Sequence, residues 1–316
     1  MTSNDAYAVQ AATVETRDAA RMMRRATMAS VGVATTLIVI KTIAYFLSGS
    51  VSMLSSLVDS SLDAAASLAT LFAVHQSMAP ADREHRFGHG KAEALAGLLQ
   101  AAIVAGSGVF LLFESVRRIL NPAPIDNSLI GIGVMVISIL LTFALVTYQH
   151  RVATRTGSIA VSGDRLHYLS DLLSNAGVIL ALVLASQFGL VEADGIIALI
   201  IAGILLHGAY GIVNGALDML MDRELPDVER ARIIEIVKAE PRVLALHDLR
   251  TRRSGLATFI QLHLVLDADM KLRDAHEIAE AVEQALITAF PGAEVIIHED
   301  PDGVEESDDH ARRIGV

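Results

Sequence analysis

Two apolar stretches of the sequence carry ionisable residues at helical spacing. Asp59-Ser-Ser-Leu-Asp63 and His167-Tyr-Leu-Ser-Asp171 each place two such side chains four positions apart. On a helix that spacing puts both on one face, a turn apart. Two carboxylates held that close repel each other in a low dielectric, and a cation or a proton between them relieves the repulsion. Together the pairs offer three carboxylates and an imidazole, a donor set that suits a tetrahedral divalent ion without thiolates. A charge in the middle of a membrane costs about 2.5–3.5 kcal/mol on insertion scales, so each of these residues requires a reason. The competing explanation is that they hydrogen-bond neighbouring helices or face a water-filled vestibule.

Two further groups have the same chemistry. Asp82-Arg-Glu-His85-Arg-Phe-Gly-His89 offers a carboxylate and two imidazoles within eight positions. It reads equally well as a metal-binding loop or as a solvated hinge. Near the C-terminus His247, His263, His276 and His298, with Asp300, fall within 54 positions. They are either a metal-binding set or surface accidents. His310, in an acidic tail, is read as incidental.

These residues need elements to hold them. The chain has 316 residues and no Cys, is 53% hydrophobic, and has a mean hydropathy of +0.48, too apolar for a soluble domain. Without Cys there are no disulfides, thiolate sites or cysteine nucleophiles. The net charge of −11 argues against a nucleic-acid partner. That charge is concentrated: residues 222–316 hold 21 acids and 12 bases, whereas residues 1–221 hold 15 and 13. The chain therefore divides into a polar N-terminal segment (1–25), a membrane domain (26–221), an acidic water-compatible domain (222–300) and an acidic tail (301–316) expected to be disordered. The polar start, ending in Arg21, Arg24 and Arg25, is unlike a cleavable signal peptide.

Six stretches are long enough to span a bilayer, roughly Ala26–Ser48, Ser52–Met78, Ala94–Leu120, Leu129–Tyr148, Leu166–Phe188 and Gly195–Met221. An even number puts both termini on one side. That side would carry thirteen Lys and Arg, among them Arg83, Arg86, Lys91, Arg151, Arg155 and Arg165, against Arg117 and Arg118 on the other. The bias places both termini in the cytoplasm. Within the spans, Lys41 is expected to snorkel outward, Glu114 to pair with Arg117 or Arg118, and His207 to sit where glycines allow close helix packing. One difficulty follows from a rise of about 1.5 Å per residue. Asp59 lies near the outer end of span two and His167 near the inner end of span five. The pairs meet only if span five extends outward or is strongly offset.

After residue 221 the pattern predicts a helix over 227–239, strands over 242–251 and 258–268, a helix over 272–290 and a strand over 294–298. This αββαβ order implies a three-stranded sheet covered on one face by two helices. In the central strand Ile260, Leu262, Leu264 and Leu266 share one face, which puts His263 on the other.

Taken together, these motifs resemble the cation diffusion facilitator family, and within it the bacterial efflux subgroup, over about residues 20–300. The carriers are Ser-Leu-Val-Asp59-Ser-Ser-Leu-Asp63, His-Arg-Phe-Gly-His89-Gly-Lys91-Ala-Glu93, His167-Tyr-Leu-Ser-Asp171 and the αββαβ end with its histidines. The resemblance implies an α-helical membrane protein: six transmembrane helices followed by a cytoplasmic α+β domain of the ferredoxin or metallochaperone kind. It implies a homodimer in the inner membrane, among lipids, that exchanges a divalent metal ion for protons by alternating access. Zinc is the expected metal, with Cd(II), Fe(II), Co(II) and Mn(II) open. The implied transport site is Asp59, Asp63, His167 and Asp171, and the loop site Asp82, His85 and His89. The implied cytoplasmic binuclear site is His247, His263, His276, His298 and a bridging Asp300. Lys91 and Asp222 match a charge pair that ties the two parts together. The His-rich loop that other branches carry between spans four and five is missing here.

Two other classes compete with a transporter. An intramembrane hydrolase would need an open metal position and a general base, but Asp-x3-Asp on one helix makes a poor aspartyl dyad and no His-Glu-x2-His is present. A metal-gated channel would transport without a pH gradient.

Overall fold

The computed structural model describes residues 3–121, 129–190 and 192–303, with side chains from Thr16 onward except at positions 52, 129 and 130. The tail from residue 304, with His310, lies outside the described residues. The chain divides into two compact units, residues 21–217 and residues 1–20 with 218–316.

The first unit consists of most of α1 (Ser3–Ser48), then α2 (Val51–Ser77), α3 (Ala92–Leu120), α4 (Leu129–Thr156), α5 (Ile159–Phe188) and all but the end of α6 (Ala193–Leu220). All six are long and apolar enough to cross a membrane. Phe46, Phe72, Phe110, Phe113 and Phe143 stand exposed on their outer faces, while Ser30, Ser67, Thr70, Gln100 and Gln149 are buried. In lipid this inverted distribution is favourable, because interhelical hydrogen bonds and close packing replace a hydrophobic core. Gly97 on α3 and Gly163 on α5 show how close the packing is. A Cβ on Gly163 would lie 3.0 Å from the Gln100 Cβ, and one on Gly97 2.5 Å from the Ile159 side chain.

The helices differ from the sequence expectation in two instructive places. α1 begins at Ser3 rather than near Ala26, because nothing before Gly32 breaks a helix. The expected loop around Arg151, Arg155 and Arg165 is helical except at Gly157 and Ser158. Gly157 turns the chain at φ 67, and the Ser158 hydroxyl caps α5 by accepting from the Val161 amide. The buried Glu93 carboxylate accepts from the Ile159 and Ala160 amides at the same helix start, where the helix dipole favours an anion. These caps start α5 seven residues earlier than Leu166.

The second unit contains α7 (Asp227–Lys238), β1 (Ala245–Ser254), β2 (Ala257–Leu266), α8 (Leu272–Ala289) and β3 (Ala293–Pro301). The αββαβ order is as expected. β1 pairs antiparallel with β2 across the Gly255 turn, and β3 pairs parallel with β2 through the α8 crossover. Ile260, Leu262, Leu264 and Leu266 pack with Ile233, Val237, Ile278, Val282 and Leu286 of the helices. Both helices thus cover one face of the sheet and leave the His263 face to other uses.

Candidate metal sites

Three groups of side chains have ligand atoms within 4.8 Å of one another: Asp63, His167 and Asp171; Asp82, His85 and His89; and His247, His263 and Asp300.

The first group joins α2 to α5. His167 Nε2 lies 3.0 Å from Asp63 Oδ1, and the His167 ring meets Tyr168 edge-on with centroids 5.6 Å apart. The early start of α5 places His167 two turns inside the helix, so it reaches Asp63 without any outward extension of the span. The expected meeting of both pairs is only partly realised. Asp59, one turn nearer the α1–α2 connection, is exposed and stands outside the three-residue group. Lys41 does not snorkel. Its ammonium bonds the Ser60 hydroxyl at 2.6 Å and the Ser56 carbonyl at 3.1 Å, close enough to Asp63, Asp171 and Asp59 to interact with their charges. Serines on α2 therefore hold a tethered cation beside the carboxylates. At the far ends of α3 and α6, Glu114 pairs with both Arg117 and Arg118 as expected, and Arg118 also reaches Asp194 at 2.6 Å. His207 is exposed, and its neighbour Gly208 packs closely against Leu166.

The second group is built by a turn. Asp82 Oδ1 accepts from the Glu84 and His85 amides at 2.9 and 2.6 Å, which closes the loop and aims both oxygens at imidazoles. Oδ1 lies 3.3 Å from His85 Nδ1, and Oδ2 3.4 Å from His89 Nε2. The His85 amide, followed by that of Glu84, holds the Asp82 carboxyl below its usual value. His89 Nδ1 is buried without a partner, an unused donor or acceptor at the centre of the loop.

Strand register builds the third group. His247 pairs with His263, and His263 with His298, so three imidazoles lie in a row across the sheet on its open face. Adjacent ring centroids are 5.0 and 4.7 Å apart. β3 runs to Pro301, past the expected end at His298, and this brings Asp300 onto the same face. Asp300 Oδ2 lies 2.8 Å from His263 Nδ1 and 3.3 Å from His247 Nε2, and its Oδ1 lies 3.3 Å from His298 Nε2. One carboxylate touching three imidazoles has the placement of a bridging ligand. His276 is exposed on α8 and outside this group.

Two acidic residues were missed by the sequence reading. Asp248 sits at a β1 irregularity with φ 46 and turns its carboxylate to 3.8 Å from His263 Nε2. No sequence pattern announces that conformation. Asp164 is buried on α5. Its signal was present, since Asp164, His167 and Asp171 recur at three and four positions, but a span boundary set at Leu166 hid it.

Comparison with known proteins agrees with this organisation. A family model described as the cation efflux transmembrane domain matches residues 27–221, and one described as the cation efflux protein cytoplasmic domain matches residues 225–302. Proteins named cation-efflux pump FieF from Yersinia pestis (strain Pestoides F) and Yersinia pseudotuberculosis serotype IB (strain PB1/+) are each 46% identical over 292 residues, covering 92% of this chain and 97% of theirs. A solved structure of the candidate zinc transporter CzrB, in its zinc form, is 38% identical over 27% of this chain and 99% of its own, with a TM-score of 0.26.

Proposed function

The chain belongs to the cation efflux, or cation diffusion facilitator, family, and we propose that it exports a divalent transition-metal ion, zinc foremost, from the cytoplasm in exchange for protons. It is a multi-pass transporter rather than an enzyme. The observation that carries the reading is the convergence of Asp63, His167 and Asp171 from two membrane helices. Two carboxylates and an imidazole give borderline ligands for Zn(II), and Cd(II), Fe(II), Co(II) and Mn(II) remain within their range. The name of the relatives, cation-efflux pump, supports a cation as the cargo.

Exchange follows from the chemistry of these ligands. Neutral imidazole binds a metal ion, whereas imidazolium repels it, and the ordinary imidazole pKa of about 6.5 lies near physiological pH. Protons arriving at His167 and the carboxylates from outside displace the metal, and metal arriving from the cytoplasm displaces the protons. Asp59, one turn from Asp63, serves as the fourth ligand when the ion draws it in. Alternating access then exposes the site to one side at a time. The Lys and Arg bias assigns both termini to the cytoplasm of a cell whose inner membrane holds the protein among its lipids.

The loop and sheet sites bind metal on the cytoplasmic side, as structural or regulatory positions. His276 lies on α8, across the sheet from the histidine row of its own protomer. The match to the family's cytoplasmic domain supports a homodimer joined through it, and a binuclear set that includes His276 would take that residue from the second copy. The test is reconstitution in proteoliposomes with uptake followed across a panel of metals. Zinc uptake that grows with an opposing proton gradient and moves protons the other way supports exchange. Uptake indifferent to the gradient refutes it and favours a channel.

A further inference from the structure

Asp164 supplies no ligand to the three groups. Asp164 on α5 is 1% exposed, and its carboxylate is met by donors from four other helices. Oδ2 accepts from the Ser30 hydroxyl on α1 and from Gln149 Nε2 on α4 at 2.7 Å. Oδ1 accepts from the Ser67 hydroxyl on α2 and Gln100 Nε2 on α3, each at 3.3 Å. Tyr168, one turn along α5, has its hydroxyl 2.8 Å from Ser67 Oγ and 3.1 Å from the Ser30 carbonyl, and its one proton goes to one or the other. Gln149 also reaches Ser30 Oγ, and Gln100 also reaches Thr70. All these side chains are essentially inaccessible.

Both glutamines turn their N–H groups to Asp164 and leave their buried Oε1 atoms without a partner. An unmet buried acceptor is unfavourable, so the arrangement holds only while the carboxylate organises it. Its position matters as well. Asp164 precedes His167 by one turn toward the α4–α5 connection, and Ser67 follows Asp63 by one turn toward the loop holding Asp82. The network is a polar floor beneath the metal-binding trio.

We propose that Asp164 is the positioning residue that closes this floor, fastening α1–α4 to α5 on the cytoplasmic side of the trio, so that metal passes only when these bonds break. The inference rests on the transport reading above. The lock is suited to its cargo. A divalent cation approaching from that side competes with neutral donors for the one carboxylate they share and so loosens the floor, which a neutral solute does not.

The test uses the full-length protein in proteoliposomes, with the variants Asp164→Asn and Asp164→Glu. The chain has no Cys, so Ala66→Cys, a small change at the floor, provides a single reporter for a membrane-impermeant thiol reagent added on the cytoplasmic side. Each hydrogen bond to a charged group shifts an opening equilibrium by about tenfold or more. Asp164→Asn is therefore expected to raise the labelling rate at least about tenfold; because a floor that no longer closes cannot alternate, the maximal rate of proton-driven zinc transport is expected to fall by a similar factor, with KM within about threefold of the parent. Asp164→Glu, which keeps the charge, is expected to restore slow labelling. Unchanged labelling and rate in Asp164→Asn overturn the proposal. So does a joint loss of zinc binding, rate and thermal stability that Asp164→Glu leaves uncorrected, since that pattern reports only a folding role. If the parent protein moves no zinc, the transport reading fails separately, and the labelling still reports whether Asp164 holds the floor.

Discussion

Asp300→Asn tests the cytoplasmic site with little change in shape. The carboxylate it neutralises lies 2.8 Å from His263 Nδ1 and 3.3 Å from both His247 Nε2 and His298 Nε2, so one substitution affects every imidazole of the row. A carboxylate oxygen about 2.1 Å from a divalent ion contributes about 4 kcal/mol even at the dielectric constant of water. A water or amide ligand in its place recovers part of that. The expected net loss is about 2–3 kcal/mol, or roughly thirty- to hundredfold in zinc affinity, within the range known for altered metal sites. The assay is competition of the purified full-length protein with a chelator of known affinity, with bound zinc per protomer counted at each step. An Asp171→Ala background separates the cytoplasmic sites from the transport site. Unchanged stoichiometry and an affinity within threefold of the parent would refute the bridging role of Asp300.

Asp171→Ala is expected to abolish zinc uptake in proteoliposomes while the cytoplasmic sites still load, and His167→Asp to shift selectivity toward harder ions such as Mn(II) and to alter the pH profile. Uptake at the parent rate, or an unchanged metal order, counts against the assignment. Arg242 Nε bonds Glu240 Oε1 at 2.6 Å and holds that carboxyl below its ordinary value of 4.5. The stabilisation this pair lends is therefore complete above that value and is lost as pH falls through the depressed one, and Arg242→Ala should move the Glu240 NMR titration upward. Leu264 is fully buried among Ile233, Ile278 and Leu286, and Leu264→Ala should destabilise the cytoplasmic domain by about 2–5 kcal/mol in denaturant unfolding. If Lys91 and Asp222 form the charge pair implied by the family, reversing both charges should recover dimer stability or transport lost on reversing either one.

The six spans, the αββαβ order and most of the candidate ligands were legible in the chain because they rest on local periodicity and composition. A run of about twenty apolar residues spans a bilayer wherever it occurs, and the alternation of Ile260, Leu262, Leu264 and Leu266 sets His263 on the opposite face without reference to any partner strand. What depended on tertiary structure was register and helix offset. His247, His263 and His298 form a row only because β1 and β3 pair with β2 in one particular register, and a slip of one residue would send each imidazole to the other face. Asp300 joins them because β3 continues two residues past His298. Capping by Ser158 and Glu93 lengthens α5 inward, which brings His167 to Asp63, leaves Asp59 apart and buries Asp164 among four helices distant in sequence. Lys41 stays inside because Ser56 and Ser60 of another helix offer it oxygens there. Apart from the local Ser158 cap, these outcomes depend on contacts between residues distant along the chain, which periodicity and composition do not specify.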